Sequence, residues 1–475
     1  MTQLLRRLFA RQPLEWTASE SDGPALRRVL GWPALTCIGL GTMLGGIFPT
    51  VGPGALHAGP GVVISFLLSG LVCVAVALCY AEFAAMVPVA GSAYTYAYAT
   101  LGEIVAWIIG WDLILEYGVS VAPTASSWSS YAQGLIAELF GWHLPAWATT
   151  ASIDFAKGHF QIDVIAFAIT LVVTAIVAIG IRESSNVNAG FVIVQIVAMI
   201  VFIAAMIPFI HPSNLHPLAP FGWNGIVGSS ALVFFAYIGF DTVTVASEEA
   251  VRPSRDVPLA IILSLVIGAL LFCAIAFATV GALPYTKITG DGGAAMLDAV
   301  NGTSHSYWLL VIVGIGGIAG NLTVMLTSLL GQIRIFYVMA RDRMLPPAVS
   351  KVSPRFLTPA RTTTITGIIV AICAAAFPLD VLLKFVNIGT LSAFAIVCIG
   401  VAVLRVARPD ARRPFKAPLV WIFTIFGAAG CLYMMSGLDA ITWRRFGVWF
   451  LIGIIIYAIY GFRRSRLRAA FEKTA

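Results

Sequence analysis

Long apolar stretches follow one another along almost the whole chain and are separated by short polar segments. A stretch of 18 or more apolar residues is long enough to cross the roughly 30 Å hydrocarbon layer of a bilayer as an α-helix. The pattern therefore predicts an all-α integral membrane protein with twelve transmembrane helices over residues 31–463, flanked by tails at 1–30 and 464–475. The predicted spans cover approximately residues 33–57, 61–86, 94–124, 162–181, 189–210, 226–249, 258–282, 307–338, 362–378, 382–404, 418–437 and 447–462.

Composition supports this prediction and excludes a water-soluble fold. Hydrophobic residues make up 59% of the chain and charged residues 11%, whereas an average soluble domain is about 25% charged. An even number of spans puts both ends of the chain on one side of the membrane. If that side is the cytoplasm, few of the 29 lysines and arginines fall outside, namely Lys157, Lys287, Lys384, Arg444 and Arg445.

This charge asymmetry follows the positive-inside rule. It predicts a multi-pass protein of the cell (inner or plasma) membrane with both termini in the cytoplasm. It also accounts for the net charge of +7 without a nucleic-acid partner, and leaves membrane lipid as the surrounding partner. The seven cysteines lie in apolar stretches without a C-x-x-C pair, and the six histidines are scattered over predicted outer loops, so we expect no metal site.

Common enzyme signatures are missing from the sequence. It contains no G-x-x-x-x-G-K-[ST], no H-E-x-x-H and no G-x-S-x-G, which are the marks of phosphate-binding loops, zinc proteases and serine hydrolases. We therefore expect a chain that is not an enzyme and needs no cofactor. A membrane-embedded enzyme would require clustered catalytic ligands, and a receptor or scaffold remains the other alternative class.

Two predicted spans are interrupted at their centres by small residues. The first contains GLGTMLGGIF at 39–48, and the sixth contains FFAYIGFD at 234–241. Because the two segments are five spans apart, they run in opposite directions across the membrane, as an inverted repeat requires. Interruptions at matching places in two halves also point to a transport site. The sequence thus predicts five plus five plus two helices, with breaks near Gly41 to Gly46 and near Tyr237 to Gly239.

An unwound turn at mid-membrane frees backbone groups that must find partners. The amino end of a half-helix offers amides and a positive dipole to a carboxylate, and exposed carbonyls can receive an ammonium group. A molecule that carries one of each is an α-amino acid. The alternative is that these glycines only allow close helix packing, and the sequence leaves both open.

Acidic residues inside the spans are the next candidates for function, because a charge in the bilayer is costly. Asp112 and Glu116 are four residues apart and share one helix face. They can attract a cationic substrate or carry a proton, or they can simply bond to a neighbouring helix. Asp241 lies in the sixth span. Three others lie near the inner surface, where we expect them to pair with loop arginines: Glu82, Glu248 and Glu249.

Four ordered stretches carry a resemblance to a known family. They are YAEFAAMVPVAGSAYTYAY at 80–98, FAYIGFD at 235–241 with RPSRDVP at 252–258, GQIR at 331–334 with MARD at 339–342, and NIGTL at 387–391 with RPFKAP at 413–418. At these residues the chain resembles the amino acid, polyamine and organocation transporter superfamily, and within it the cationic amino acid transporter branch.

The resemblance implies a leucine-transporter-like fold. Residues 31–211 and 212–405 would form the two inverted repeats, 406–463 would form helices 11 and 12, and helices 1 and 6 would be broken around one site. Carried over by position, the first break would face the substrate carboxylate and the second its amine, with Phe235 as an aromatic lid. The substrate-binding residues so implied are Thr42, Met43, Gly45, Gly46, Phe235, Ala236, Tyr237 and Gly239.

The chain departs from the family pattern at two places. Its first break is one residue shorter than the usual G-x-G-I-F. Proton-coupled members carry a lysine in helix 5, and the matching position here is Gln195, whose amide cannot titrate. We therefore expect no proton coupling through Gln195, although Asp112 or Glu116 offers another path. The candidates for coupling and gating are Asp112, Glu116, Gln195 and Asp241.

These features together predict a secondary-active or facilitative permease. It would move cationic or small neutral L-amino acids by alternating access. A carrier of polyamines, or an exchanger of amino acids and amines, is the alternative within the same superfamily, and it would need no carboxylate grip at Gly45 and Gly46. The identity of a co-transported ion stays open.

Overall fold

The computed structural model describes residues 30–86, 92–154, 159–180, 185–245, 250–289, 293–353, 358–411 and 413–467. Apart from their innermost residues, both predicted tails lie outside these ranges. Glu248 and Glu249, predicted to pair with arginines, also lie outside the described residues.

Helices dominate the described chain. Those before residue 210 are α1 (Trp32–Leu44), α2 (Val51–Ala58), α3 (Val62–Met86), α4 (Ser92–Thr100), α5 (Glu103–Leu113), α6 (Val121–Phe140), α7 (Val164–Ile179) and α8 (Ser185–Met206). Those after it are α9 (Gly222–Val233), α10 (Thr242–Val245), α11 (Pro253–Ala282), α12 (Ala295–Asn301), α13 (Tyr307–Arg341), α14 (Ala360–Ala376), α15 (Leu379–Ala407), α16 (Val420–Ser436), α17 (Ala440–Ile456) and α18 (Phe462–Arg464).

The helical membrane class is confirmed. Among the described residues, eight helices are long and apolar enough to cross a membrane, and four shorter apolar helices accompany them. Their outer faces are apolar, as the 68% exposure of Leu270 and the 67% exposure of Ile425 show. Such faces need lipid around them. A short antiparallel hairpin, β1 (Ser152–Asp154) with β2 (His159–Gln161), is an addition that the apolar pattern does not predict.

The third span lies further along the chain than predicted. The sequence places it at 94–124, but α4 ends at Thr100 and a continuous helical segment runs from Glu103 to Phe140. Gly102 between them has a φ of +108°, in the left-handed region that glycine tolerates. The serines after residue 124 suggest the end of a span. Ser127 and Ser129 are instead buried and donate hydrogen bonds to neighbouring segments.

Two spans are discontinuous at their centres. In the first, α1 ends at Leu44, a 3₁₀ turn covers Gly45–Ile47, and α2 begins at Val51. This break starts a few residues later than the predicted Gly41, because regular helix continues through Leu44. In the sixth, α9 ends at Val233 and a 3₁₀ turn covers Phe234–Tyr237. Ile238 is then extended, and Gly239 has a φ of +117°.

Helix α3 is fastened to α9 by two serines one helical turn apart. The Ser65 hydroxyl donates to the Ile226 carbonyl oxygen at 2.9 Å, and the Ser69 hydroxyl donates to the Ser230 carbonyl oxygen at 2.8 Å. Helix α3 also packs along α11, α6 along α13, and α7 along α14. The crossing of α1 and α9 lies inside this bundle.

Glu82 pairs with arginines, as predicted. Its carboxylate accepts hydrogen bonds from Arg405 Nε at 2.8 Å and Nη2 at 2.7 Å, and from the Ala417 amide at 2.9 Å. The guanidinium of Arg413 lies 3.4 Å away. Three hydrogen bonds and a second guanidinium thus compensate one buried carboxylate, and they join α3 to α15 and to the loop that follows it.

An ion network joins three helices at the opposite end of the bundle. Lys384 Nζ lies 2.8 Å from Asp380 and 3.2 Å from Asp439. His57 Nε2, at the end of α2, lies 3.5 Å from Asp380. Asp439 also caps α17, since it accepts hydrogen bonds from the Thr442 amide and hydroxyl. The network therefore connects α2, α15 and α17.

Candidate functional site

The two breaks meet backbone to backbone. A methyl group added to Gly46 would lie 2.8 Å from the Cα atom of Ala236 and 3.1 Å from the Phe235 carbonyl oxygen. A methyl group at Gly45 would collide with the Gly320 carbonyl oxygen on α13. Both glycines therefore allow close approach of backbones. This is the packing role that the sequence left open, and at Gly46 it also brings the two breaks together.

Thr42 ties the end of α1 to the second break. Its hydroxyl lies 2.9 Å from the Gly239 carbonyl oxygen and 3.0 Å from the Thr242 hydroxyl. The positive φ of Gly239 sends the chain back toward α1, and a side chain at that position would meet Thr42 at 2.9 Å. Glycine is required there by both conformation and space.

A small cavity lies where the breaks cross. Its enclosed space is about 20 Å³, room for roughly one or two water molecules. An amino acid is larger than this, so its entry requires neighbouring helices to move apart. The cavity is lined by Thr42, Gly46, Glu116, Tyr117, Ser120, Phe235, Ile238, Gly239, Thr242, Val324, Thr327 and Ser328.

Only part of the residue set implied by the resemblance lines this cavity. Thr42, Gly46, Phe235 and Gly239 do so, and Glu116 joins them. Four residues of the implied set do not line the cavity: Met43, Gly45, Ala236 and Tyr237.

Side-chain direction explains the difference for the two large residues of this second group. The Tyr237 hydroxyl donates to the Phe66 carbonyl oxygen at 2.7 Å, which turns the ring toward α3. Met43 packs against Gly268 of α11. Both therefore brace the breaks from outside the cavity.

Glu116 reaches the cavity from a π-helical turn. This turn covers Ile114–Val119 between α5 and α6, and π turns inside helices are frequent at functional sites. The side chain is 1% exposed, and neither carboxylate oxygen has a hydrogen-bond partner within the described chain. A buried carboxylate is stable only with a compensating partner. The position thus favours a cation or a proton.

The other candidates for coupling and gating surround the cavity without lining it. Asp112 accepts a hydrogen bond from Ser392 of α15 at 2.5 Å. Asp241 accepts one from the Tyr117 hydroxyl. The Gln195 amide donates to the Thr323 hydroxyl of α13 at 3.2 Å. Each of these side chains thus joins its own segment to another.

Sequence reasoning missed seven lining residues: Tyr117, Ser120, Ile238, Thr242, Val324, Thr327 and Ser328. Thr327 and Ser328 lie on α13, where Asn321, Thr323 and Gln332 are also polar but do not line the cavity, so polarity alone does not single them out. Those next to Glu116 and Gly239 follow from their neighbours once the π turn and the second break are known. Among the described residues, no group of three or more His, Cys, Asp or Glu side chains could hold a metal ion.

Broken helices that cross at a buried cavity inside an apolar bundle define a class of membrane protein, the multi-pass transporter. The chain belongs to the amino acid permease family, whose sequence profile matches residues 30–459. The resemblance found in the sequence is thereby confirmed, and the protein is a transporter and not an enzyme.

Curated relatives support this assignment, and two of them are of similar length. The branched-chain amino acid permease BcaP of Bacillus subtilis is 42% identical over 452 residues, covering 95% of this chain and 96% of the relative. The methylthioribose transporter of the same species is 40% identical, covering 97% and 99%. The vacuolar cationic amino acid transporter 4 of Arabidopsis thaliana is 37% identical, covering 82% and 66%.

Proposed function

We propose that this permease moves small neutral or cationic L-amino acids across the plasma membrane by alternating access. The observation that carries the proposal is the crossing of the two breaks at a cavity that holds the Glu116 carboxylate. Amides near the 3₁₀ turn at Gly46 would receive the substrate carboxylate. Carbonyls of the second break, together with Glu116, would receive the amine.

The proposed architecture has twelve spans in a five-plus-five inverted repeat with two additional helices, and both termini in the cytoplasm. Contacts between helices five spans apart support the repeat. Helix α3 packs on α11, α6 on α13 and α7 on α14, and the first break touches the second. In such a repeat each helix lies close to its symmetry mate around one central site.

Phe235 is the proposed lid. Its ring is 2% exposed at the cavity wall and packs with Leu379, Leu383 and Val386 of α15. Movement of this ring would open or close one side of the site, which is the gating role of a closing element. Met43, Gly45, Ala236 and Tyr237 would support the two breaks from behind.

Two features of the cavity favour a neutral aliphatic substrate with a free amine. Phe235, Ile238 and Val324 form an apolar wall, and Glu116 supplies one negative charge. The α-amino group of the substrate would pair with the Glu116 carboxylate. A positively charged substrate side chain would then find no further carboxylate among the lining residues. Branched-chain amino acids fit this wall, and the name of the Bacillus subtilis relative, a branched-chain amino acid permease, supports the choice.

Uptake into proteoliposomes tests the proposal. Purified protein would be offered radiolabelled leucine, isoleucine, valine, alanine, arginine, lysine, putrescine and methylthioribose, with and without a pH gradient. We expect saturable uptake of at least one neutral aliphatic amino acid, competed by unlabelled L-isomer and not by the D-isomer. Uptake of methylthioribose or putrescine with no uptake or competition by any amino acid would overturn the proposal.

A further inference from the structure

Asn387 of α15 reaches across to the end of α9. Its side chain is fully buried, and its Nδ2 atom donates to the Ala231 carbonyl oxygen at 2.8 Å and to the Leu232 carbonyl oxygen at 2.7 Å. These carbonyls belong to the last turn of α9, immediately before the 3₁₀ turn at Phe234–Tyr237. The last carbonyls of a helix lack full partners within it, and in the membrane they must find others.

The same helix also supports the side chains of the break. Leu383 and Val386 of α15 pack with Leu232 and Phe235 in one buried cluster, and Ile238 packs against it. Helix α15 therefore makes two kinds of contact at the second break: two hydrogen bonds to the backbone just before it, and apolar packing with the Phe235 ring. Both contacts lie within two turns of the residues that line the cavity.

We propose that Asn387 is a positioning residue for substrate binding. By satisfying the last carbonyls of α9, it ends that helix at Val233 and fixes the following turn. Phe235, Ile238 and Gly239 then line the cavity before the substrate arrives. Preorganisation of a site reduces the ordering cost of binding. This inference rests on the proposed function, since it names a residue that serves the same cavity.

If Asn387 had a purely structural role, its replacement would have different effects. A side chain that only holds two helices together affects the amount and stability of folded protein. A positioning residue also affects substrate affinity and the local order of the break in protein that is fully folded. The test therefore measures KM separately from Vmax, and local amide exchange separately from thermal stability.

The test compares two variants of α15 in nanodiscs and proteoliposomes. Asn387→Leu keeps the size of the side chain and removes both donors. Thr390→Val is the matched control, because Thr390 is also fully buried but donates only within α15, to the Val386 carbonyl oxygen at 3.2 Å. Hydrogen–deuterium exchange of peptides covering residues 231–239 reports the order of the break without any substrate.

For Asn387→Leu we expect KM to rise at least about tenfold with Vmax per folded molecule within about threefold of wild type. We expect amide exchange in residues 231–239 to accelerate at least about fivefold, while Thr390→Val leaves both unchanged. Unchanged exchange in this segment, or equal acceleration by Thr390→Val, would overturn the proposal. If Asn387→Leu does not fold, Asn387→Ser, too short to reach both carbonyls, is judged by the same two readouts.

The two proposals fail in different ways. If the wild-type protein takes up no amino acid, the proposed function is wrong. The exchange measurement still decides whether Asn387 fixes the break, because it needs no substrate. If wild-type uptake is present and Asn387→Leu shows wild-type KM, the positioning role is wrong while the proposed function stands.

Discussion

The Thr42 hydroxyl lies 2.9 Å from the carbonyl oxygen of Gly239, a residue 197 positions further along the chain. One side chain thus connects the regular end of α1 to the point where the second break reverses direction. The connection is short because Gly239 has a left-handed φ and no side chain. The two breaks are therefore held in register by a polar contact as well as by the crossing of Gly46 and Ala236.

Replacement of Thr42 by Val tests this contact. The change keeps the shape and removes the hydroxyl, so the polar contact between α1 and the second break is lost at a cost of about 0.5–1.5 kcal/mol. The Thr242 hydroxyl still donates to the Gly239 carbonyl oxygen at 2.6 Å. We expect the KM for uptake to rise at least about fivefold. Thr36→Val is the control, since the Thr36 hydroxyl bonds only within α1, to the Trp32 carbonyl oxygen at 2.8 Å. Equal KM values for the two variants would contradict the prediction.

Gly46→Ala tests the backbone contact between the breaks. The new methyl group would lie 2.8 Å from the Ala236 Cα atom, and backbone cannot move aside as a flexible side chain can. Overpacking of this kind costs typically about 1–3 kcal/mol. We expect the melting temperature in detergent and the uptake per folded molecule both to fall. Gly447→Ala, on α17 with open space around it, should change neither, and a loss of equal size there would point to a nonspecific effect.

Substitutions at Glu116 and Asp112 compare two buried carboxylates. Glu116 lines the cavity, whereas Asp112 accepts a hydrogen bond from Ser392. Glu116→Gln keeps the size and removes the charge from the cavity, so we expect substrate KM to rise at least about tenfold. Asp112→Asn retains an oxygen that can accept the hydrogen bond from Ser392, and uptake should stay within about threefold of wild type. The reverse order of effects would show that Asp112 is the functional carboxylate. Uptake measured at saturating and at subsaturating substrate gives Vmax and KM for both variants.

Because Gln195 occupies the fifth span, we expect that no proton carried at this position drives transport. A lysine there could lose its charge when desolvated, whereas the amide bonded to Thr323 stays neutral. We expect facilitated diffusion or exchange by the wild type, and a new pH dependence in Gln195→Lys. The measurement is liposome uptake at equal pH and then with the outside acidic. Concentrative wild-type uptake driven by the pH step, and unaffected by changes at Gln195, would refute the prediction.

Asp439 contributes both a helix cap and an ion pair, and two substitutions separate them. Burial disfavours its charged form, but hydrogen bonds from the Thr442 amide and hydroxyl and from Lys384 outweigh this and hold the pKa of Asp439 below its usual range. The stabilisation is therefore present at neutral pH and lost as the pH falls below the ordinary range of aspartate.

Asp439→Ala removes cap and charge, and we expect a loss of about 1 kcal/mol or more in stability at neutral pH. Asp439→Asn keeps a capping oxygen and loses only the pair with Lys384, which for a half-exposed carboxylate is worth roughly 0–1 kcal/mol. Thermal melts of the two variants beside the wild type give the comparison. A loss in Asp439→Asn as large as that in Asp439→Ala would show that the charge and not the cap matters at this position.

The sequence predicted the membrane class, both discontinuous spans and the pairing of Glu82, because each depends on local pattern or on a charge with few places to go. It placed the third span too early, because a helix that contains buried serines bonded to neighbouring segments has the same local composition as a loop. It missed Ser328 and Thr242, whose place in the cavity depends on how α13 and the second break are rotated. Rotation is set by contacts between distant residues, which no local pattern encodes.

The pair of bonds from Ser65 and Ser69 to carbonyls of α9 has a mechanical meaning. Both bonds repeat at four-residue spacing, so a slide of α3 along α9 by one residue would break both at once. Within the membrane no water replaces them during such a slide. The two bonds therefore oppose sliding of α3 along α9, and we expect the two helices to move as one unit. At the carboxyl end of α9, the side chain of Asn387 adds a second polar link, to α15.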